Sequence, residues 1–178
     1  MKNCFPYTIR STAITTVAIV ITNLANKYVI ICLCLLLLVI PQTRKTFGIP
    51  LSAGALGIIL LNTLIKNIVQ RSRPEVLHLV EEHGFSFASG HSISSLFFYG
   101  LAIWLVWRYV DNETAKRILT IVLTIPALLI GPTRIYLGVH YPTDVLAAWC
   151  LAFAAIILTI EIILACEKTS RTQDPLTR

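Results

Sequence analysis

The stretch F-G-I-P-L-S-A-G-A-L-G-I-I-L-L-N-T-L-I, Phe47 to Ile65, carries no charge and ends at Lys66. A helix rising 1.5 Å per residue needs about 20 residues to cross a hydrocarbon layer of roughly 30 Å. With its flanks counted this run has that length, so it reads as a membrane span. Outward from it lie four further apolar runs, Tyr28 to Pro41, Phe85 to Trp107, Ile118 to Pro132 and Tyr141 to Ile160. Five spanning helices are predicted, forming an all-α integral membrane bundle. Tyr28 to Pro41 is short and is expected to borrow Asn23 to Asn26 or to tilt little.

The whole composition agrees with that reading. The chain has 178 residues, 56% apolar and only 13% charged, the length of one domain with too little polar surface for a soluble fold. Residues 1–178 are expected to form one membrane-embedded domain. Within it, 1–27 is an interfacial segment, since Ser11 to Leu24 is rich in threonine with Ile14, Val17, Ile21 and Leu24 at helical spacing. A short sixth span is the alternative. Residues 167–178 are expected to be a disordered cytoplasmic tail. No small-residue cleavage site follows a short apolar core, which argues against a cleaved signal peptide.

Lysines and arginines set the orientation. Arg44, Lys45, Arg108, Lys116, Arg117, Lys168, Arg171 and Arg178 fall on one side. On the other, Lys2, Arg10, Lys27 and Arg71 remain once Lys66, Arg73 and Arg134 are assigned to chemistry. The positive-inside rule then puts the C-terminus in the cytoplasm of a cell membrane, inner or plasma, and the 134–144 connection outside. Basic residues spread over loops, giving a net charge of +6, fit an anionic bilayer surface and imply no nucleic-acid partner. The five cysteines have no metal-ligand spacing and read as small apolar residues.

Polar residues interrupt the apolar runs at three places. These are K-N-I-V-Q-R-S-R-P (Lys66 to Pro74), F-A-S-G-H-S (Phe87 to Ser92) and T-R-I-Y-L-G-V-H-Y-P-T-D (Thr133 to Asp144). Alternating spans bring all three to one membrane face. Taken singly each has a plain reading: snorkelling cations, a helix cap, a solvated histidine. Taken together, Lys66, Arg73 and Arg134 near the free N–H groups of a helix start suit a multiply charged oxyanion such as phosphate. Gly90 would let the backbone approach, and the Ser89 hydroxyl would donate as well.

Histidines turn such a site toward catalysis. His140 lies four residues before Asp144, with Pro142 between them as a first helical residue, so the carboxylate can fix one imidazole nitrogen while the other attacks phosphorus. His91 can protonate the leaving oxygen. No cofactor is needed. A divalent metal on His140 and Asp144 is the competing reading, opposed by the three neighbouring cations.

Lys66-x6-Arg73-Pro74, Ser89-Gly90-His91 and Arg134-x5-His140-x3-Asp144 resemble the three-part signature of the type 2 phosphatidic acid phosphatase superfamily. That family includes bacterial lipid phosphatases, glucose-6-phosphatase and the vanadium haloperoxidases. The resemblance implies phosphate binding by Lys66, Arg73, Arg134, Ser89 and the Gly90 backbone. It also implies His140 as the nucleophile of a phosphohistidine intermediate, Asp144 as its orienting partner and His91 as general acid. Ala88 stands where the family has proline, Thr133 where it has serine, and the first of the family's six spans has no counterpart.

A site at the membrane face of a chain with almost no soluble portion should act on a lipid phosphate. Similarity to short bacterial enzymes implies undecaprenyl diphosphate first, with phosphatidylglycerophosphate, phosphatidate or diacylglycerol diphosphate as alternatives. Glu75 to Gly84 reads as a connecting loop, with a lid or lipid entrance as the other reading. Two further classes stay open, a transporter that binds lipid phosphates without turnover and a scaffold with a relic site. The sequence carries no signal of oligomeric state.

Overall fold

The computed structural model describes residues 11–172, with side chains through residue 169. The chain there is helical, and no strand occurs among the described residues. Helix α1, Thr12–Asn23, starts where the Ser11 hydroxyl accepts from the Ile14 N–H, satisfying one of the donors a first turn leaves free. After three residues α2, Lys27–Val39, restarts with the Asn26 side chain accepting from the Tyr28 N–H. The two helices meet at a 42° bend. Pro41 opens α3, Pro41–Thr43, where its missing N–H costs nothing. A wider π-helical turn, Arg44–Gly48, leads into α4, Ile49–Val69. Then come α5, Gly90–Tyr109, α6, Glu113–Tyr136, and α7, Pro142–Thr172.

Four units are long and apolar enough to cross a bilayer, Pro41–Val69, Gly90–Tyr109, Glu113–Tyr136 and Pro142–Thr169, and the bent pair α1 and α2 makes up to a fifth. The difference from the expected spans is at the first. With 13 residues, α2 covers only about 20 Å, and Asn26, expected to lengthen it, caps its start. Helix α1 buries Ala18 beside Leu137 and Val139, and Thr15 Oγ1 lies 2.9 Å from the Tyr136 hydroxyl.

Helix α5 is the centre of the bundle and packs on α4, α6 and α7. Its Ile93, Leu101 and Leu105 are completely buried, whereas Leu60 on α4, Ile121 on α6 and Leu158 on α7 face outward. In lipid, helices gain little from hiding apolar surface from one another, so close packing must hold them. Gly131 illustrates this: a Cβ there would lie 2.8 Å from both Val145 and Trp149, so α6 and α7 approach to a distance that excludes a methyl group.

The segment expected to be disordered from Glu167 onward begins as a continuation of α7. Glu167 accepts from Arg108 Nη2 at 2.7 Å and from the Tyr109 hydroxyl, tying α7 to the end of α5. Residues 173–178 lie outside the described part, as do Lys2 and Arg10 of the orientation count.

Candidate active site

Three chain segments build the site. Helix α4 ends at Gln70, whose left-handed backbone (φ 49°) reverses the chain just beyond Lys66. The irregular connection 71–89 returns to Gly90 at the start of α5. On the far side α6 ends with Arg134 in its last turn. Gly138, at φ +79°, turns the chain where a side chain would be strained, and Pro142 starts α7 with Asp144 in its first turn.

The cations converge with their donors largely engaged. Lys66 Nζ donates to the Phe85 carbonyl at 2.7 Å. Arg73 donates to the carbonyls of Gly84, Val139 and His83, each at 3.0 Å, and its Nη1 lies 3.4 Å from His140 Nε2. Arg134 is 2% exposed. Its Nη1 donates to Thr22 Oγ1 at 3.2 Å, its Nη2 donates to the Glu82 carboxylate, and its Nε has no partner. His91 Nδ1 stands 4.0 Å from Glu82 Oε1. Gly90, His91 and Glu82 border a cavity of about 340 Å³ that also exposes Asn62.

Ser89 differs from expectation. Its hydroxyl lies 2.8 Å from that of Ser92 and is buried, so it is engaged within α5, while its N–H donates to the Asp144 carbonyl at 3.3 Å. The backbone of Gly90 remains beside the cavity.

The expected His140 and Asp144 pair is present but indirect. His140 Nδ1 and Asp144 Oδ2 are 3.6 Å apart, beyond hydrogen-bond length. Ser86 fills the gap: its Oγ lies 3.3 Å from Nδ1 and donates to Oδ2. The fully buried Asp144 also accepts from the Tyr141 N–H at 3.0 Å and from Arg71 Nη1 at 2.8 Å. With Nδ1 held on this side, Nε2 points toward Arg73. Burial pushes the His140 imidazole below its ordinary range, Asp144 opposes that, and Arg73, Arg134 and Lys66 add to it, so the ring is held neutral. Burial alone would raise the Glu82 carboxyl, but Arg134, then His91 and Arg73, outweigh it and hold it ionised.

Lys66, Arg73, His91, Arg134, His140 and Asp144 are thus gathered at the ends of α4, α5, α6 and α7. Sequence reasoning missed Arg71, Ser86 and Glu82. In the sequence Arg71 reads as a topology charge, yet it bonds Asp144 and the Thr143 hydroxyl and stacks 4.1 Å from the Tyr141 ring. Glu82 carried one usable signal, as one of few carboxylates on a side rich in cations.

Fold and site together define a polytopic helical membrane protein whose helix ends enclose a pocket of cations and imidazoles. The family model of the PAP2 superfamily matches residues 47–168, more than half of the chain, and the protein belongs to that superfamily. A phosphatidylglycerophosphatase B of Bacillus subtilis is 40% identical over 93 residues, covering 52% of this chain and 46% of that protein. An undecaprenyl-diphosphatase of Sulfolobus acidocaldarius is 29% identical over 148 residues, covering 80% of this chain and 67% of the relative. The first of these matches thus spans about half the relative's own length. The crystal structure of a transmembrane PAP2 type phosphatidylglycerolphosphate phosphatase from Bacillus subtilis superposes with a TM-score of 0.81 at 27% identity, over 90% of this chain and 81% of that one.

Proposed function

We propose that the protein hydrolyses the terminal phosphate of a membrane lipid through a phosphohistidine intermediate. The observation that carries this reading is the position of His140, whose Nε2 faces Arg73 while Nδ1 is held by Ser86 near Asp144. In the first step Nε2 attacks phosphorus, the bond from phosphorus to the lipid oxygen breaks, and His91 gives its proton to that oxygen. In the second, water attacks the phosphohistidine, His91 takes the water proton, and inorganic phosphate leaves with His140 restored. Arg73, Arg134, Lys66 and the Gly90 N–H would stabilise the charge that builds on the phosphoryl oxygens.

We infer a reaction without a metal ion. Among the described residues no three His, Cys, Asp or Glu side chains gather into a metal-holding group, and three cations around the pocket oppose a fourth. Undecaprenyl diphosphate is the first substrate proposed and phosphatidylglycerophosphate the alternative, in line with what the two relatives are named for, with phosphatidate as a further alternative. An extracytoplasmic site is supported by the basic residues: with Arg71 bound to Asp144, eight remain on one side and three on the other.

The test is release of inorganic phosphate by purified protein from these lipids, side by side, with chelator present. His140→Ala should abolish turnover and leave lipid binding intact. Loss of activity in chelator, restored by a divalent ion, would refute the mechanism. Binding without turnover by the unaltered chain would favour a transporter. A cysteine replacing Leu77 in a cysteine-free background, labelled by an impermeant maleimide on intact cells, reports the side of the site.

A further inference from the structure

Glu82 occupies the place among Arg134, Arg73 and His91 that the phosphate of the proposed reaction would take. Its Oε1 accepts from Arg134 Nη2 and lies 4.0 Å from His91 Nδ1, and its Oε2 lies 3.6 Å from Arg73 Nη2. Two of the three proposed phosphate-binding cations and the proposed general acid therefore converge on one carboxylate. A phosphoryl group cannot take up the Arg134 Nη2 donor while the carboxylate holds it, and it would meet the same negative charge beside Arg73 and His91.

Glu82 also has the means to leave. It comes from the irregular connection rather than from a helix. Arg73 fixes the carbonyls of His83 and Gly84 just after it, and the Leu79 N–H donates to the Leu137 carbonyl just before it at 3.0 Å. Between those ties the side chain borders open space on two sides, the cavity of about 340 Å³ beside His91 and another of about 440 Å³ within the curl of residues 78–83. Arg134 Nε, buried and without a partner, is one donor the carboxylate leaves unused. A phosphoryl group, with more oxygens, has an acceptor for it.

Charge decides which ligand wins. A carboxylate carries one negative charge and is tethered, so it competes at an effective concentration in the millimolar range. A phosphodiester headgroup also carries one charge and gains nothing by exchange. A terminal phosphate carries about 1.5 to 2 charges near neutral pH and offers three oxygens. Resting on the phosphatase reading above, we infer that Glu82 is a built-in competitor that reserves the seat for terminal phosphates and keeps the phosphodiester lipids of the surrounding bilayer out of it.

The experiment uses the full chain in mixed micelles, with phosphatidate as substrate, phosphatidylglycerol as a phosphodiester competitor and inorganic phosphate as product inhibitor. In the unaltered protein phosphatidylglycerol should not inhibit beyond surface dilution. Glu82→Gln keeps the length and an acceptor for Arg134 but removes the charge. It should lower the inhibition constant of phosphate about tenfold and make phosphatidylglycerol a competitive inhibitor. Glu82→Asp keeps the charge and should keep phosphatidylglycerol excluded, so the idea stays testable if Glu82→Gln does not fold. Phosphate binding that is unchanged or weaker in Glu82→Gln, with phosphatidylglycerol still excluded, overturns the inference and marks Glu82 as a structural counter-ion to Arg134. So does inhibition of Glu82→Asp by phosphatidylglycerol. If the unaltered chain turns over no lipid phosphate, the phosphatase reading fails instead, and calorimetric titration with inorganic phosphate still tests whether Glu82 competes for the seat.

Discussion

The Ser86 hydroxyl stands between the His140 imidazole and the Asp144 carboxylate, 3.3 Å from Nδ1 and hydrogen-bonded to Oδ2. It thus transmits the orienting effect of a carboxylate that lies 3.6 Å from the ring. At metal sites, losing the outer partner of a histidine ligand commonly costs about 10- to 100-fold, and the same order is expected for this imidazole. Ser86→Ala is expected to lower kcat by about that factor with little change in KM, because the hydroxyl faces His140 and not the substrate. Asp144→Asn should cost about 10³ to 10⁴ in kcat, by analogy with triads that lose their carboxylate. Steady-state kinetics of the two variants check the order.

Arg71 holds Asp144 from the other side. It donates to Oδ1 at 2.8 Å while its guanidinium stacks on Tyr141. Lysine has neither the planar fork nor the stacking face, so Arg71→Lys is not a conservative change here. The side chain is 37% exposed, and solvent screens its charge. The expected loss is therefore the smaller end of the range for outer partners, about tenfold in kcat, in Arg71→Lys and Arg71→Ala alike. Full activity in Arg71→Lys would show that charge alone suffices.

Lys66, His91, Arg134, His140 and Asp144 could be read from the chain because each interrupts or ends an apolar run, and Arg73 because its spacing from Lys66 resembles the family signature. The alternation of spans then assigns them to one face without knowledge of any contact. Ser86, Glu82 and Arg71 belong to the connection between α4 and α5, which has no periodicity, so nothing in the sequence fixes where a side chain points. The Ser89 contact was not legible for a different reason: Ser92 lies one turn further along α5, and two hydroxyls at that spacing can bond each other. The bend before α2 was hidden because Asn26 reads equally as part of a span or as the cap that begins one.

The acid limb of the pH profile follows from His140, while His91, which must carry the proton it gives away, sets the alkaline limb. Burial first, then Arg73, Arg134 and Lys66, hold His140 below its ordinary value of 6.5, with the Asp144 side chain working against them. Only the neutral ring can attack, so kcat/KM should fall as pH drops through that lowered value. The acid limb of the profile is therefore expected below pH 6.5. Asp144→Asn removes a group that favours the protonated ring and should move the acid limb lower still. An acid limb above 6.5 in the unaltered protein would mean that a different group controls it.

Gly131 couples the packing of the bundle to the site. A Cβ at this position meets Val145 and Trp149 at 2.8 Å, and Val145 follows Asp144 in the first turn of α7. Overpacking of this kind costs about 1 to 3 kcal/mol when the neighbours must shift. Here the neighbour that shifts carries Asp144, and misplacement by about 1 Å can cost about 100-fold in rate. Gly131→Ala should therefore lower both the melting temperature and kcat. Gly57 is the internal control, since a Cβ there meets nothing within 4 Å. Gly57→Ala should leave kcat unchanged and stabilise the helix by about 0.4 to 1 kcal/mol. A Gly131→Ala variant that melts lower yet turns over at the full rate would show that the start of α7 is held by Arg71 and Ser86 rather than by its contact with α6.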